Sequence, residues 1–306
     1  MNRREFLAKA SVMAAGSALS AGMGKPAKPD PVTENALEWD RLTVDGFAEA
    51  VKRSEGVVLV PVGCLEKHGH HLPLYTDSVV AHEICIRAAR RSAAVVFPTI
   101  PFGMVEEVKH MKGTMSISNR VMFELFDEMC GEFARNGLTK IVFVNDHGGN
   151  NFFLDTFLKS RLEKRHDYAC YWWFKKLSPK QAGAFVKRLG RSEMPELGHA
   201  DVMESSEMLL LSPETVHMDR VNVEESKALG RLAMYREARV RTSLDWYADY
   251  PAHFAGDPTG ASAEHGEWLF EAYADTLAKT IDQVKHDVLT PQFLQEYYSS
   301  SESPCV

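Results

Sequence analysis

Val57-Val58-Leu59-Val60-Pro61-Val62-Gly63-Cys64-Leu65-Glu66-Lys67-His68-Gly69-His70-His71-Leu72-Pro73-Leu74-Tyr75-Thr76-Asp77 changes character partway along. Residues 57–62 form an unbroken apolar run, without the polar alternation of a strand that faces water on one side. Such a run reads as a strand buried on both faces. Residues 66–77 then hold three histidines and two carboxylates. A strand that empties into a loop dense in His, Glu and Asp is where α/β enzymes place their chemistry. Glu66 and His68 are two apart, so in extended chain they point to the same side. Asp77 follows Thr76 and opens a helix, where its carboxylate could bridge two cations. Imidazole and carboxylate together suit zinc, manganese or iron rather than calcium.

Working outward, further β-rich apolar runs occur at 94–97, 141–145 and 168–174. Amphipathic helical segments fill the gaps at 78–91, 119–136, 151–164 and 179–189, and a long helix runs from about 263 to 287. Ser118 or Asn119 fits an N-cap and Gly137 a C-terminal stop. Near-continuous apolar strands alternating with helices predict an α/β fold, a mainly parallel sheet covered by helices on both faces. Sites in such sheets lie at the carboxyl ends of the strands. Glu66 and His68 follow the first run, and Asp146 and His147 follow the third. Two motifs therefore meet at one sheet edge.

Residues 1–24 are set apart from the fold. Asn2-Arg3-Arg4-Glu5-Phe6-Leu7 is a twin-arginine pattern followed by a run rich in Ala, Ser and Gly, which predicts a Tat export signal and a periplasmic or extracytoplasmic location. The run is too short and too rich in small residues for a membrane span. Residues 25–37 read as a stiff, Pro-rich linker, 38–290 as one globular domain and 291–306 as a Ser-rich tail. Removing residues 1–24, which carry Arg3, Arg4, Lys9 and Glu5, takes the formal charge from −7 to −9. An acidic chain without a basic run offers nothing to nucleic acid or anionic lipid. The five cysteines have no CxxC spacing and an odd count, so they describe no disulfide framework. Cys64, Cys85, Cys130 and Cys170 read as buried thiols. A nucleophilic Cys64 is disfavoured, because no base lies nearer to it than Glu66 and His68.

Four blocks resemble the creatininase (creatinine amidohydrolase) family, in order and across residues 38 to 285. Glu66-x-His68-Gly69-x-His71-Leu72-Pro73-x-x-Thr76-Asp77 is similar to its signature. Asn145-Asp146-His147-Gly148-Gly149-Asn150 resembles its Asn-Gly-His-Gly-Gly-Asn block. His199-Ala200-Asp201-Val202-Met203-Glu204-Ser205-Ser206 resembles its His-Ala-Gly-x-x-Glu-Thr-Ser block. Gly256-Asp257-Pro258-Thr259-Gly260-Ala261-Ser262-Ala263-Glu264-His265-Gly266 resembles its C-terminal Gly-Asp-Pro block. The resemblance implies a creatininase-like fold, two divalent ions per chain (Zn, Mn or Fe) and a small-molecule amide substrate. On the matching positions the ligands are Glu66, His68, Asp77, His147 and Glu204, with Asp77 bridging. The same resemblance makes His199 the group that moves a proton from the attacking water to the leaving nitrogen. Expelling an amine requires such protonation.

Around that set, His71 is expected to support the loop rather than bind metal, and His70 to face solvent. Asp146 is expected beside the ligands or the substrate. Asn150 is expected to cap the following helix, with Gly148 and Gly149 letting backbone approach the metal. Cys170-Tyr171-Trp172-Trp173-Phe174 resembles a family segment with an aromatic over the site, so Trp172 is either a lid or a core residue. Members acting on creatinine carry Glu where Gly149 stands and Trp where Pro195 stands, and Asp201 replaces the usual Gly. These departures leave the metal chemistry but weigh against creatinine. The implied activity is an exported, metal-dependent amidohydrolase that cleaves a C–N bond. Its rivals are a formamide- or peptide-cleaving enzyme on the same site and a non-catalytic periplasmic metal- or solute-binding protein. Neither a nucleotide-binding glycine fingerprint nor a lysine placed for a cofactor supports redox or carbon–carbon chemistry. Family members are commonly ring-like homo-oligomers, often hexamers.

Overall fold

The computed structural model describes residues 37–193 and 198–303. The twin-arginine segment, the linker up to residue 36, Pro195 and Cys305 lie outside the described residues. Five strands, β1 (Leu37–Glu38), β2 (Val57–Val62), β3 (Val95–Val96), β4 (Lys140–Asn145) and β5 (Ala169–Phe174), form one sheet in the order β1-β3-β2-β4-β5. Every pairing is parallel. The helices are α1 (Val44–Arg53), α2 (Thr76–Ala89), α3 (Asn119–Arg135), α4 (Asn150–Ser160), α5 (Pro179–Arg188), α6 (Val202–Leu211), α7 (Ala233–Glu237), α8 (Asp245–Asp249), α9 (Ala263–Lys285) and α10 (Leu289–Glu302). Among the described residues, no helix is long and apolar enough to cross a membrane.

All six residues of β2 are buried, and the period of two divides them between two cores. Val57 and Leu59, with Val142 and Val144 of β4, pack under α2, α6 and α9. Val58, Val60 and Val62, with Ile141 and Phe143, pack under α1, α3 and α4. The second core is aromatic: the Phe126 ring stacks on Phe143 at 5.3 Å and meets Phe153 edge-on at 4.9 Å. Removing one such ring costs about 3–5 kcal/mol in a typical core. This is the two-faced burial that the unbroken apolar runs predict.

The register pairs Val57 with Lys140 and Val62 with Asn145, so β2 and β4 end level. From β2 the chain crosses to β3 on one side, whereas from β4 it crosses to β5 on the other. The sheet therefore changes direction between β2 and β4, and the crevice outside the carboxyl ends of these two strands is where ligands bind in such sheets. Both motif loops open into it.

Local signals explain most boundaries. Ser118 stands at the N-cap position of α3 without a side-chain cap bond, and Gly137 follows the helix at φ 86°. There Leu138 N–H donates to Phe133 O and Gly137 N–H to Ala134 O, a glycine stop. β1, α1, α7 and α8 were not anticipated from the sequence, nor were three further features. α6 holds Glu204, Ser205, Ser206 and Glu207 in a row between apolar ends, so polar and apolar residues both fall all round it and no helical stripe is left to detect. β3 pairs over two residues rather than four, with Pro98 close behind. Residues 289–302 are helical rather than a tail: Tyr298 is buried and its hydroxyl donates to the carbonyls of Arg161 and Lys164. Cys64, Cys85 and Cys130 are buried free thiols as expected, and Cys170 is half-buried.

Candidate metal centre

Four chain segments meet in the crevice. Glu66 and His68 come from the loop after β2, Asp77 from the first turn of α2, and His147 from the loop after β4. His199 and Glu204 flank the start of α6. Gly63 allows this convergence, because a Cβ there would run into the backbone of Ser78 at the α2 N-terminus. Glu66 and His68 are fully buried and Asp77 and His147 nearly so, while the Glu204 side chain is 17% exposed. Among the described residues, three sets of candidate ligand atoms lie within 4.8 Å of one another: Cys64, Glu66, Asp77 and His147; His68, His199 and Glu204; and Glu66, His199 and His253.

The hydrogen bonds fix which atom of each ring faces the cluster. His147 Nε2 lies 2.8 Å from Met104 O. A carbonyl only accepts, so Nε2 carries the proton and Nδ1 is bare in the neutral ring. That bare nitrogen lies 2.9 Å from Glu66 Oε1 and 3.2 Å from Asp77 Oδ2. His68 repeats the pattern: Nδ1–H donates to Glu66 O at 3.2 Å, and Nε2 lies 2.8 Å from Asp77 Oδ1 and 3.8 Å from Glu204 Oε2. Acceptors that face acceptors in a buried site need a cation between them. A far-side N–H tied to a carbonyl is also how proteins orient metal-binding imidazoles. Asp77 offers one oxygen to each of the two rings, the geometry of a bridging carboxylate.

Without a metal the cation is a proton. Burial pulls His68 down, but the Asp77 carboxylate outweighs it and raises the imidazole to about 10. His147 is likewise raised against its burial, by Cys64 and Glu66 and by hydrogen bonding to Asp77. Burial pushes Asp77 and Glu66 up, yet the adjacent histidines hold both well below the usual carboxylate range. Cys64 Sγ–H donates to Asp77 Oδ2 at 3.0 Å, and burial together with that carboxylate pushes the thiol up. A thiol held protonated is no nucleophile.

His199 belongs to the same cluster at a longer distance. Its Nε2–H donates to Lys67 O at 2.7 Å, its Nδ1 lies 3.8 Å from Glu66 Oε1, and its ring lies 4.2 Å from that of His68. Burial and the neighbouring His68 hold it well below its ordinary value, so it is a neutral base at pH 7. Ala200 beside it has φ 61° and donates its N–H to Glu204 Oε2 at 2.6 Å. Asp201, the departure from Gly, caps α6 by accepting from Met203 N and Glu204 N.

The surrounding residues divide. His71 points away from the carboxylates: its Nε2 lies 3.2 Å from both Ala200 O and Ser205 Oγ, which ties the loop to α6. His70 is exposed, 3.3 Å from Glu225. Asn150 is not a cap. It lies inside α4, with Gly149 at the N-cap position, and its side chain turns inward. There it donates to Gly63 O and Asn145 Oδ1 and accepts from Met104 N, joining both strand ends to the carbonyl that orients His147. Gly149 serves the same contact, since a Cβ there would strike Met104 O and the His147 ring, while Gly148 has open space. Trp172 does not occupy a lid position. It lies two residues before the end of β5, packs on the α3–α4 core and sits 3.9 Å from the Phe174 ring. It lines a cavity with Tyr171, Phe174 and Val284.

Asp146 belongs to a buried ion group that the sequence did not reveal. Lys175 Nζ lies 2.5 Å from Asp146 Oδ1 and 3.0 Å from Glu207 Oε2, over the Tyr273 ring. Lys175 follows an aromatic strand, and Glu207 stands three residues after Glu204 on an apolar helix. A charge beside or inside an apolar element, Lys175 after β5 and Glu207 within α6, is the signal that was available. His253 was also missed. Its Nε2 lies 2.7 Å from Glu66 Oε2, and Trp246 Nε1–H donates to its Nδ1 at 2.7 Å. Nothing in Tyr250-Pro251-Ala252-His253 marks it as part of a site.

Comparison with known proteins agrees with this architecture. The family model for creatininase, creatinine amidohydrolase, matches residues 40–281. The creatinine amidohydrolase of Pseudomonas putida is 30% identical over 260 residues, covering 78% of this chain and 94% of that protein. The mycofactocin precursor peptide peptidase of Mycolicibacterium smegmatis is 30% identical over 237 residues, covering 76% and 86%. A solved creatinine amidohydrolase (creatininase) superposes with a TM-score of 0.67 at 25% identity, over 83% of this chain and 99% of that one. A mutant creatininase of Zn–Zn type superposes with a TM-score of 0.67 at 24% identity, over 82% and 99%.

Proposed function

Because this chain belongs to the creatininase family, we propose that it hydrolyses a C–N bond of a small amide at a centre of two divalent cations, zinc, manganese or iron. Glu66, Asp77 and His147 would hold one cation, and His68, Asp77 and Glu204 the other. The observation that carries this reading is the pair of bare imidazole nitrogens, on His147 and His68, that face the two oxygens of one buried carboxylate. When bound, such cations supply Lewis acidity to a carbonyl and acidify water near neutral pH.

The chain's own residues supply the proton traffic. His199 Nε2–H is committed to the Lys67 carbonyl, so Nδ1 is the atom that takes up and returns a proton. Near pH 7 the ring is neutral, so Nδ1 keeps the lone pair that a proton needs. Once protonated, Nδ1 becomes a donor for a leaving nitrogen. A protein that only bound metal or solute would have no use for such a shuttle.

Creatinine itself is disfavoured, since the backbone at Gly149 leaves no room for the side chain carried there by members that act on it. Similarity to a precursor peptide peptidase supports a second reading, cleavage of short peptides on the same centre, and cleavage of N-formyl compounds is kept as its neighbour. Assays of the metal-loaded protein on cyclic amides, N-formyl compounds and short peptides separate these readings. Absence of all turnover with both ions bound would leave the binding protein. We further propose export by the Tat route to the periplasm and assembly into a homo-oligomer, a hexamer by analogy with the family. The twin arginines predict that changing Arg3 and Arg4 together to Lys retains the protein in the cytoplasm. Cell fractionation showing the double variant still exported refutes the route.

A further inference from the structure

His253 stands apart from the other histidines of the centre. His68, His147 and His199 each use one N–H on a main-chain carbonyl and turn a bare nitrogen toward carboxylate oxygen. His253 does the reverse. An indole nitrogen only donates, and Trp246 Nε1–H donates to His253 Nδ1 at 2.7 Å. The neutral ring must then carry its proton on Nε2, which donates to Glu66 Oε2 at 2.7 Å. A protonated nitrogen has no lone pair for a cation. Proximity to the ligand atoms of Glu66 and His199 therefore does not make His253 a ligand.

We propose that His253, locked in one tautomer by Trp246, is a positioning residue for Glu66. It occupies Oε2 and leaves Oε1 as the single oxygen turned toward His147 and the cation. This inference rests on the reading of Glu66 as a ligand. Three observations support it independently of that reading. His253 is buried at 3% exposure, with its polar atoms spent on Trp246 and Glu66. Its backbone has φ 50°, a conformation unfavourable for a residue with a Cβ and retained only where the surroundings enforce it. The surroundings do enforce it: Lys67 Nζ donates to Ala252 O at 2.6 Å, and His253 N–H donates to Tyr250 O at 2.9 Å. Trp246 lies on α8, outside the sheet, so a segment remote from the motif loops sets the orientation of a motif carboxylate.

The test combines calorimetric titration with Zn²⁺ and nitrogen NMR of ¹⁵N-histidine-labelled full chain. His253→Ala should keep the zinc stoichiometry of the wild type while binding weakens 10–100-fold, the usual effect of losing a partner that orients a ligand. His253→Gln, whose amide can still donate to Glu66, should recover part of that loss. In the wild type, the NMR signal of His253 should show a bare Nδ1 and a protonated Nε2, and Trp246→Phe should mix the two tautomers. Loss of one ion in His253→Ala would make it a ligand, unchanged affinity would make it packing, and a protonated Nδ1 would remove the lock; each overturns the proposal. Should His253→Ala not fold, the Gln variant and the wild-type spectrum decide. Failure of the wild type to bind Zn²⁺ at all would instead sink the metal reading, while the tautomer of the metal-free protein still reports on His253.

Discussion

Asp77 Oδ1 lies 2.8 Å from His68 Nε2 and its Oδ2 3.2 Å from His147 Nδ1, so one carboxylate serves both halves of the centre. If the two cations share Asp77 as proposed, replacing a terminal imidazole would remove one cation's ligand, whereas replacing the bridge would also remove the charge that offsets the repulsion between them. Asp77→Asn should therefore weaken both binding events, while His68→Ala and His147→Ala each abolish one. Calorimetric titration with Mn²⁺ or Zn²⁺ checks this, and wild-type affinity for both ions in Asp77→Asn would remove Asp77 from the bridge. His199, whose Nδ1 lies 3.8 Å from Glu66 Oε1, is proposed above to move protons rather than to bind. His199→Ala should keep both ions and lose roughly 10²–10⁴-fold in turnover, the usual effect of removing a positioned acid–base group. The loss should shrink for substrates whose leaving group needs little protonation. A drop in metal content, or equal losses for good and poor leaving groups, would argue against the shuttle.

At the scale of elements, the loop after β2 must be held to the start of α6 for Glu204 and His199 to face the strand-end ligands, and His71 provides that tie. Burial lowers its imidazole to about 4, below the value of about 6.5 in an unfolded chain. The native state thus requires the neutral ring. Its contribution is complete above pH ~6.5 and is lost as pH falls toward about 4, because the unfolded chain binds the proton first. Over that window the urea midpoint of the wild type should fall further than that of His71→Gln, which cannot titrate. Parallel pH profiles would show that His71 does not contribute in this way. The elements also show what sequence can and cannot reveal. β2 and β4 were legible because burial on both faces leaves an unbroken apolar run, and Glu66, His68, Asp77 and His147 because ligands crowd next to strand ends. α6 was hidden because polar and apolar residues both fall all round it, and the helix after α9 because its one anchor, Tyr298, sits before a run of serines. Asn150 was read as a cap because the sequence does not reveal that Gly149 takes that position. His253 and Trp246 escaped because a contact with Glu66 across 187 residues leaves no local pattern.

For the whole molecule, the centre joins a loop from each of two strands to two helices, so its occupancy bears on the stability of the whole fold. The metal-free protein relies on imidazolium instead. His68, raised to about 10, and His147, also raised, hold protons in the native state that the unfolded chain releases above about pH 6.5. A group with a raised folded pKa stabilises fully below its unfolded pKa and loses that contribution as pH rises through the folded one. The metal-free fold should therefore weaken steadily from pH ~6.5 toward about 10. Metal needs both rings deprotonated, so binding should release close to one proton from each of His68 and His147 and strengthen over the same range. The two trends add. Free metal at a hundred times its dissociation constant stabilises by about 2.7 kcal/mol, or roughly 4–5 °C in Tm for a chain of this size. The gap in Tm between metal-loaded and chelator-treated protein should widen as pH rises from about 6 to about 9. Scanning calorimetry at several pH values measures it. A gap that is absent, or that narrows with rising pH, would mean that His68 and His147 do not exchange protons for metal.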